Sequence, residues 1–128
     1  MTEFQAFIQR ELAGIIRVCP SGITGVPVLY LGSAVDDQPI HNFMQGTKQI
    51  SAMTPESARL VIGNGDRLSP AWAIAELAEE MLDEHGVLLL RDETGEIAKM
   101  KKTDKWDCWQ ASPSASGCNL VAVRSEVR

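Results

Sequence analysis

The segment Gly63-Asn64-Gly65-Asp66-Arg67-Leu68-Ser69-Pro70 has the composition of an anion-binding loop. A glycine-rich loop that runs into a helix presents backbone N–H groups and the positive end of the helix dipole, which together can hold a phosphate. Arg67 would add a cation, whereas Asp66 would place a negative charge where the anion would sit. The candidate ligands of a small molecule, nucleotide or phosphate are Gly63, Asn64, Gly65, Arg67 and Ser69.

This loop lacks the defining residues of the known phosphate motifs. The P-loop requires Gly-Lys-Ser/Thr, and the dinucleotide fingerprint requires three spaced glycines directly after a strand. Loops of this composition also serve simply to turn the chain between two helices. The sequence therefore predicts no cofactor, and the loop stays an alternative ligand site.

Four lysines and two tryptophans follow one another near residue 100: Lys99, Lys101, Lys102, Lys105, Trp106 and Trp109. Lysines combined with aromatic rings form the stacking grooves that bind single-stranded nucleic acid. Alternation of Lys99 and Lys101 with apolar residues also fits an edge strand whose lysines prevent edge-to-edge pairing. Nucleic-acid binding through the lysines is therefore a second alternative.

Cysteine and histidine residues form no recognisable catalytic or metal-binding pattern. Cys108 and His41 are the candidates for a nucleophile and its base, but neither lies in a known local motif. A metal site would have to be assembled from His41, Cys108 and Cys118 with Asp36 or Asp37, and this set lacks the short ligand spacings of zinc sites. We predict no catalytic residues and no metal.

Three of the seven aromatic residues are tryptophans, namely Trp72, Trp106 and Trp109. Tryptophan is enriched at the energetic centres of protein interfaces. Trp72 follows Pro70 in the first turn of a predicted helix and should be partly exposed. These residues are the candidates for binding a partner protein.

The predicted helices follow from apolar spacing and from proline. Apolar residues recur at helical intervals from Thr2 to about Arg17. Thr54-Pro55 and Ser69-Pro70 each place proline at a first helical position behind a hydroxyl N-cap. The first of these helices would end near Gly63, with a strand over 60–62 as the alternative. The second would end at Gly86, with an apolar face formed by Ile74, Leu77, Ala78, Met81, Leu82 and His85.

The predicted strands are Val26–Leu31, Val87–Leu90, Glu96–Lys101, Trp106–Gln110 and Asn119–Val127, with a weak strand near Ile40–Met44. Val87–Leu90 and Glu96–Lys101 would form a hairpin, because a glycine-containing turn separates them. The sequence predicts an α+β fold, with two or three helices on one face of a mostly antiparallel sheet and a C-terminal β-meander.

Composition places the chain among ordinary globular proteins. It has 128 residues, 45% hydrophobic and 23% charged, and we expect one domain over residues 1–128. No apolar run reaches the length of a membrane span, and no secretory signal is visible, so we expect a cytoplasmic protein without membrane contact.

Charge is unevenly distributed along the chain. Residues 1–98 carry 14 acidic and six basic side chains, whereas residues 99–128 carry three acidic and six basic ones. The acidic body argues against nucleic acid as the main partner and favours basic surfaces. With no catalytic constellation, the leading hypothesis is a non-enzymatic inhibitor, adaptor or assembly component. Such a protein would act through a protein–protein interface with an unidentified partner, and we also consider a homo-oligomer.

Overall fold

The computed structural model describes residues 6–8, 10–11, 27–32, 48–50, 56–114 and 117–124. The strands are β1 (Pro27–Gly32), β2 (Lys48–Ile50), β3 (Ala58–Gly65), β4 (Leu82–Asp92), β5 (Trp106–Ser114) and β6 (Gly117–Arg124). Helix α1 (Ala71–Met81) joins β3 to β4, and a short 3-10 turn covers Glu96–Lys99. Residues 6–8 and 10–11 are helical, within the predicted first helix. The weak strand predicted near Ile40–Met44 lies outside the described residues.

The strands form one mixed sheet in the order β2-β1-β3-β4-β6-β5. β1 pairs in parallel with both β2 and β3, and β3 pairs in parallel with β4. β6 runs antiparallel to β4, and β5 runs antiparallel to β6. The prediction of an α+β fold with a mostly antiparallel sheet is wrong, because three of the five strand pairings described are parallel, and α1 forms the crossover between the parallel strands β3 and β4.

Helical residues pack on both faces of this sheet. Alternate strand residues enter two separate hydrophobic clusters. Val61 and Leu88 pack with α1 on one face, whereas Leu60 and Leu89 pack with Phe7 and Ile8 on the other. The prediction of helices on one face is therefore wrong. A continuous apolar run such as Val87–Leu90 has two faces to bury, which is typical of a strand inside a parallel sheet.

Residues 58–65 form a strand, so the predicted short helix is wrong over the described residues and the strand alternative is confirmed. The helix prediction relied on the Thr54-Pro55 signal. The consecutive residues Leu60, Val61 and Ile62 are fully buried between β1 and β4. Burial of these side chains on both faces of the sheet outweighs a local signal for the start of a helix, because burying each large apolar side chain stabilises the fold by roughly 1.5–3 kcal/mol.

Helix α1 has the predicted apolar face but is shorter than predicted. Ile74, Ala78 and Met81 are buried, yet the helix ends at Met81 instead of Gly86. Leu82 is already extended and pairs with Ala58 of β3. Next to it, the Arg59 Nε lies 2.8 Å from Asp83 Oδ2 and 3.1 Å from Asp83 Oδ1. Pairing with a neighbouring strand thus ends the helix a turn early.

The predicted hairpin after Gly86 is also wrong. β4 pairs with β6, and Glu96–Lys99 forms a 3-10 turn instead of a strand. The antiparallel pairing of the last two predicted strands is confirmed in β5 and β6, for example Gln110 opposite Val121. A glycine-containing turn after β4 predicts that the chain reverses direction. It does not indicate whether the next segment or a later strand pairs with β4.

Glu79 of α1 connects the helix to β5 and β6. Its Oε1 accepts a hydrogen bond from Trp106 Nε1 at 2.8 Å, and its Oε2 lies 3.5 Å from Lys105 Nζ. The Glu79 carbonyl oxygen accepts a hydrogen bond from Arg124 Nε at 3.0 Å. Trp106 is buried by this arrangement, with 2% of its surface exposed.

Among the described residues, no helix is long and apolar enough to cross a membrane.

Candidate functional site

A pocket of about 430 Å³ opens at the edge of the sheet where β3 and β4 end. Two segments line it, namely the loop from β3 into α1 and the turn that follows β4. Its volume lies within the range of small-molecule sites, roughly 300–1,000 Å³. The carboxyl ends of parallel strands are the usual place for ligands in open α/β sheets. The strand order reverses between β1 and β3, so this pocket lies next to that reversal.

The loop between β3 and α1 is closed by its own carboxylate. Asp66 Oδ1 accepts hydrogen bonds from the backbone N–H groups of Leu68 (2.9 Å) and Ser69 (2.8 Å). The Asp66 N–H donates to the Ser69 carbonyl at 2.9 Å. Pro70 occupies the N-cap position of α1 without a side-chain cap, so the prediction of Ser69 as the cap is wrong. The N–H groups of Leu68 and Ser69 are therefore already occupied and do not offer a phosphate cradle.

Gly63 and Gly65, at the end of β3, allow close packing between β3 and α1. A Cβ atom on Gly65 would lie 2.7 Å from the Cβ of Ala71 and 2.8 Å from its backbone nitrogen. A Cβ atom on Gly63 would lie 2.8 Å from Ile74 Cγ2 and 2.9 Å from Leu90 Cδ1. Both contacts are shorter than packed atoms tolerate. These glycines place the start of α1 directly over the end of β3.

Asp92 organises the opposite wall of the pocket. Its side chain is buried, and Oδ1 accepts hydrogen bonds from Thr94 N (2.9 Å) and Thr94 Oγ1 (2.8 Å). Oδ2 accepts from Ile97 N at 2.8 Å. The Glu93 N–H donates to the Gly65 carbonyl at 3.1 Å, which joins this turn to the other wall. Asp92 thus folds residues 92–97 into a fixed shape beside the pocket.

The lining of the pocket carries more negative than positive charge. Asp66, Asp92 and Glu96 contribute carboxylates, and Arg67 contributes one guanidinium. Arg67 is exposed and has no ion-pair or hydrogen-bond partner among the described residues. Like charges repel more strongly in a partly enclosed site than in bulk water. The pocket therefore disfavours phosphate and favours neutral or cationic groups.

The mouth of the pocket is apolar. Trp72 is 51% exposed and Met100 is 37% exposed, and both line the pocket. Leu68 in the adjoining loop is 91% exposed. Clustered exposed apolar side chains beside a cavity mark a binding surface. The predicted partial exposure of Trp72 is confirmed.

The three tryptophans do not form one surface. Trp106 is buried, so it does not lie on a partner-binding surface as predicted, and Trp109 is half-buried. The rings of Trp106 and Trp109 contact each other edge to face, with centroids 5.7 Å apart. The Trp109 Nε1 is buried without a hydrogen-bond partner among the described residues. Trp72 alone among them lines the pocket.

The lysines follow the pocket wall in the chain. Lys99 ends the 3-10 turn, and Lys101, Lys102 and Lys105 lie in the exposed stretch before β5. Lys102 Nζ donates to the Asp107 carbonyl at 3.0 Å, and Lys105 pairs with Glu79. These lysines do not alternate with apolar residues along an edge strand, because residues 99–105 lie outside the sheet.

Of the five predicted loop ligands, Arg67 alone is among the pocket-lining residues. Asn64 Oδ1 accepts a hydrogen bond from Arg91 NH1 at 2.9 Å across the paired strands β3 and β4. Asp92, Thr94 and Glu96 were not predicted as site residues, because the sequence pattern places Asp92 and Thr94 in a hairpin turn and Glu96 at the start of a strand. One available signal was the carboxylate of Asp92 two residues after the apolar run Val87–Leu90.

Cys118 is buried on β6, and its pKa is raised above the ordinary 9.0 by burial first and by the negative charge of Asp92 second. We expect native Cys118 to react with a disulfide reagent at pH 8 at least tenfold more slowly than in urea, as read by peptide mapping. As pH rises, the unfolded chain loses this proton first, so the associated stability is present below pH 9.0 and lost above it. Equal labelling of native and unfolded protein would contradict this.

Metal binding finds no support within the described part of the chain, where no cluster of three or more His, Cys, Asp or Glu residues could hold an ion. Cys108 and Cys118 are both free thiols. His41 lies outside the described residues, so its pairing with Cys108 stays untested.

The fold is shared with solved methyltransferases. An Escherichia coli chain named as a methyltransferase, yhhF, aligns with a TM-score of 0.59 and 11% identity, covering 98% of this chain and 88% of that one. A methyltransferase from Geobacter sulfurreducens aligns with a TM-score of 0.52 and 8% identity, covering 91% of this chain and 77% of that one. No sequence-family profile and no curated protein matches this chain.

At these identities the likeness establishes a Rossmann-like methyltransferase fold and no more. In open α/β sheets, small molecules bind at the carboxyl ends of the strands, which is where the pocket lies. The prediction of a non-enzymatic inhibitor or adaptor acting through a protein interface is therefore corrected by the fold it shares with these structures.

Proposed function

We propose that this protein is an enzyme of the methyltransferase type, which binds an S-adenosyl methyl donor and an acceptor at the carboxyl edge of its sheet. The observation that carries the proposal is the acidic pocket of about 430 Å³ at the ends of β3 and β4. The fold shared with solved methyltransferases supports the reaction class.

The residues present suit a positively charged donor. When bound, such a donor supplies a methyl group carried on a sulfonium cation. Asp66 follows β3 directly, so of the pocket residues it stands closest in the chain to the reversal of strand order. We assign Asp66 to the charged part of the donor, because its carboxylate attracts a cation. We assign the mouth formed by Trp72 and Met100 to the acceptor.

Asp66→Asn tests the role of charge without removing the loop closure. An asparagine Oδ1 can still accept the N–H groups of Leu68 and Ser69, since asparagine caps such turns as well as aspartate. We expect this variant to bind S-adenosylmethionine about tenfold more weakly, as measured by isothermal titration calorimetry. S-adenosylhomocysteine, which lacks the sulfonium charge, should lose less affinity.

Glu80→Gln is the matched control, because Glu80 is an exposed carboxylate of α1 that does not line the pocket. It should leave donor affinity unchanged, and ATP should not bind either variant or the wild type. Failure of wild-type protein to bind either S-adenosyl compound would refute the proposal. Equal affinities in Asp66→Asn and Glu80→Gln would refute the assignment of Asp66.

A cytoplasmic location belongs to the same proposal. Two free thiols, Cys108 and Cys118, suit a reducing compartment. Fractionation of cells that express the full chain, followed by immunodetection, would test it. Recovery in an oxidising compartment would contradict it.

A further inference from the structure

The mouth of the pocket presents a flat aromatic surface. Trp72 lies in the first turn of α1 with about half of its surface exposed, and Met100 faces the same pocket from the turn after β4. A half-exposed indole is a stacking platform for planar rings, because every aromatic ring has a face that can stack. The shape of this rim therefore suits a flat ring that enters the pocket.

Two unpaired cations flank Met100 in the chain. Lys99 and Lys101 are exposed and have no ion-pair or hydrogen-bond partner among the described residues. Lys102 and Lys105 differ, because Lys102 bonds to the Asp107 carbonyl and Lys105 pairs with Glu79. Lys99 and Lys101 are thus available to an anion outside the pocket.

Charge changes sign between the interior and the mouth. Carboxylates of Asp66, Asp92 and Glu96 line the pocket, whereas Lys99 and Lys101 are the chain neighbours of Met100 at its mouth. An occupant that fits both must place a neutral hydrogen-bonding ring inside and a negative group outside. A nucleotide within a single strand has this arrangement, because its base is neutral and its phosphates lie on the backbone.

We propose that the acceptor is a base of a single-stranded nucleic acid, inserted against Trp72 with its backbone phosphates on Lys99 and Lys101. The proposal rests on the proposed function for its reaction class. A base within a duplex cannot reach an enclosed pocket unless it is first unstacked. The acidic body of the chain repels phosphates elsewhere, so the interaction is confined to this mouth.

Fluorescence anisotropy with a labelled 12-nucleotide single strand tests the lysines. We expect binding whose log affinity falls with log salt at a slope of about 1.4, because each phosphate contact to a single strand contributes about 0.7. Lys101→Gln should lower that slope by about 0.7. Arg10→Gln is the control of equal charge, since Arg10 is exposed on the helical segment of the opposite face. It should leave the slope unchanged.

Tryptophan fluorescence tests the stacking. Trp106 is buried and Trp72 is half exposed, so an added single strand should quench mainly Trp72. We expect Trp72→Ala to weaken binding about tenfold and Trp72→Phe to weaken it less, because phenylalanine keeps a ring. Both variants should lose most of the quenching. Circular dichroism melts of the two variants confirm that each remains folded.

Comparison of ligands separates this inference from the proposed function. Binding of S-adenosylmethionine without any binding of the single strand would overturn the inference and leave the proposed function standing. Binding of the single strand without either S-adenosyl compound would support the single-strand site at Trp72, Lys99 and Lys101 but overturn both the methyltransferase proposal and the role of the base as acceptor. Equal affinity for a duplex, or equal affinity for a nucleoside monophosphate and the 12-nucleotide strand, would overturn the inference.

Discussion

Gly65→Val is expected to lower the free energy of unfolding by about 3 kcal/mol, at the upper end of what overpacking costs. The new Cβ would lie 2.7–2.8 Å from three atoms of Ala71, of which two belong to the backbone. A backbone cannot rotate away as a side chain can, so the start of α1 must move off β3. At this chain length we expect a melting temperature about 10 °C lower, measured by calorimetry.

Gly95→Ala is the control for the Gly65 prediction. Gly95 has a φ of 74°, and a Cβ there would meet nothing within 4 Å. Its substitution tests backbone strain without a clash and should cost about 1 kcal/mol. If Gly65→Val destabilised the protein no more than Gly95→Ala does, α1 would not lie against the end of β3 as described.

Asp92→Ala is expected to lower the free energy of unfolding by roughly 3 kcal/mol. The buried carboxylate accepts three hydrogen bonds, and its loss leaves the Ile97 N–H buried without an acceptor. Hydrogen bonds to charged groups contribute about 1.5–3 kcal/mol each, and an unsatisfied buried donor costs about 1–3 kcal/mol. Urea denaturation measures the total, and hydrogen exchange should show faster exchange of the amides in residues 94–97.

Glu93→Ala is the matched control, because Glu93 is the exposed neighbour whose backbone alone is used in the contact to Gly65. It should change stability by less than about 0.5 kcal/mol. Asp92→Asn should fall between the two, since one oxygen acceptor remains. Equal stability of Asp92→Ala and Glu93→Ala would show that the carboxylate does not hold this turn.

Gly65 and Asp92 belong to the two segments on opposite sides of the pocket. Gly65 lets α1 approach β3, and Asp92 shapes the turn that follows β4. The Glu93 N–H bonds to the Gly65 carbonyl and links the two. Because the pocket lies between these segments, Gly65→Val should weaken ligand binding as well as stability, whereas Gly95→Ala should lower stability by about 1 kcal/mol and leave ligand binding unchanged.

Much of the local structure was predictable from the sequence. The apolar face of α1, the strand near residues 27–31 and the pairing of β5 with β6 follow from periodicity and turn residues. The sequence pattern of the Gly63–Pro70 loop and Trp72 predicts binding residues there, and Arg67 and Trp72 do line the pocket. The prediction of one surface formed by three tryptophans is wrong, because Trp106 is buried.

Predictions failed where distant segments decide the outcome. The Thr54-Pro55 signal predicts a helix that includes residues 58–62, but these residues form part of a buried strand in the middle of the sheet. The sequence pattern predicts Asp92 as an ordinary turn residue. Its structural role depends on the backbone N–H groups of Thr94 and Ile97, which donate hydrogen bonds to its carboxylate. Neither the parallel pairing of β3 with β4 nor burial on both faces is encoded in a short window of sequence.

Apolar spacing, glycine and proline by themselves determined which segments are amphipathic and where the chain turns, because these depend on neighbours a few residues apart. The order and direction of the strands, the early end of α1 and the sign of charge in the pocket were decided only by tertiary structure. The physical reason is that strand pairing and burial join residues more than 20 positions apart, such as Arg59 with Asp83 and Gly65 with Asp92. The free energy of those contacts exceeds the weak local preferences that a sequence pattern reports.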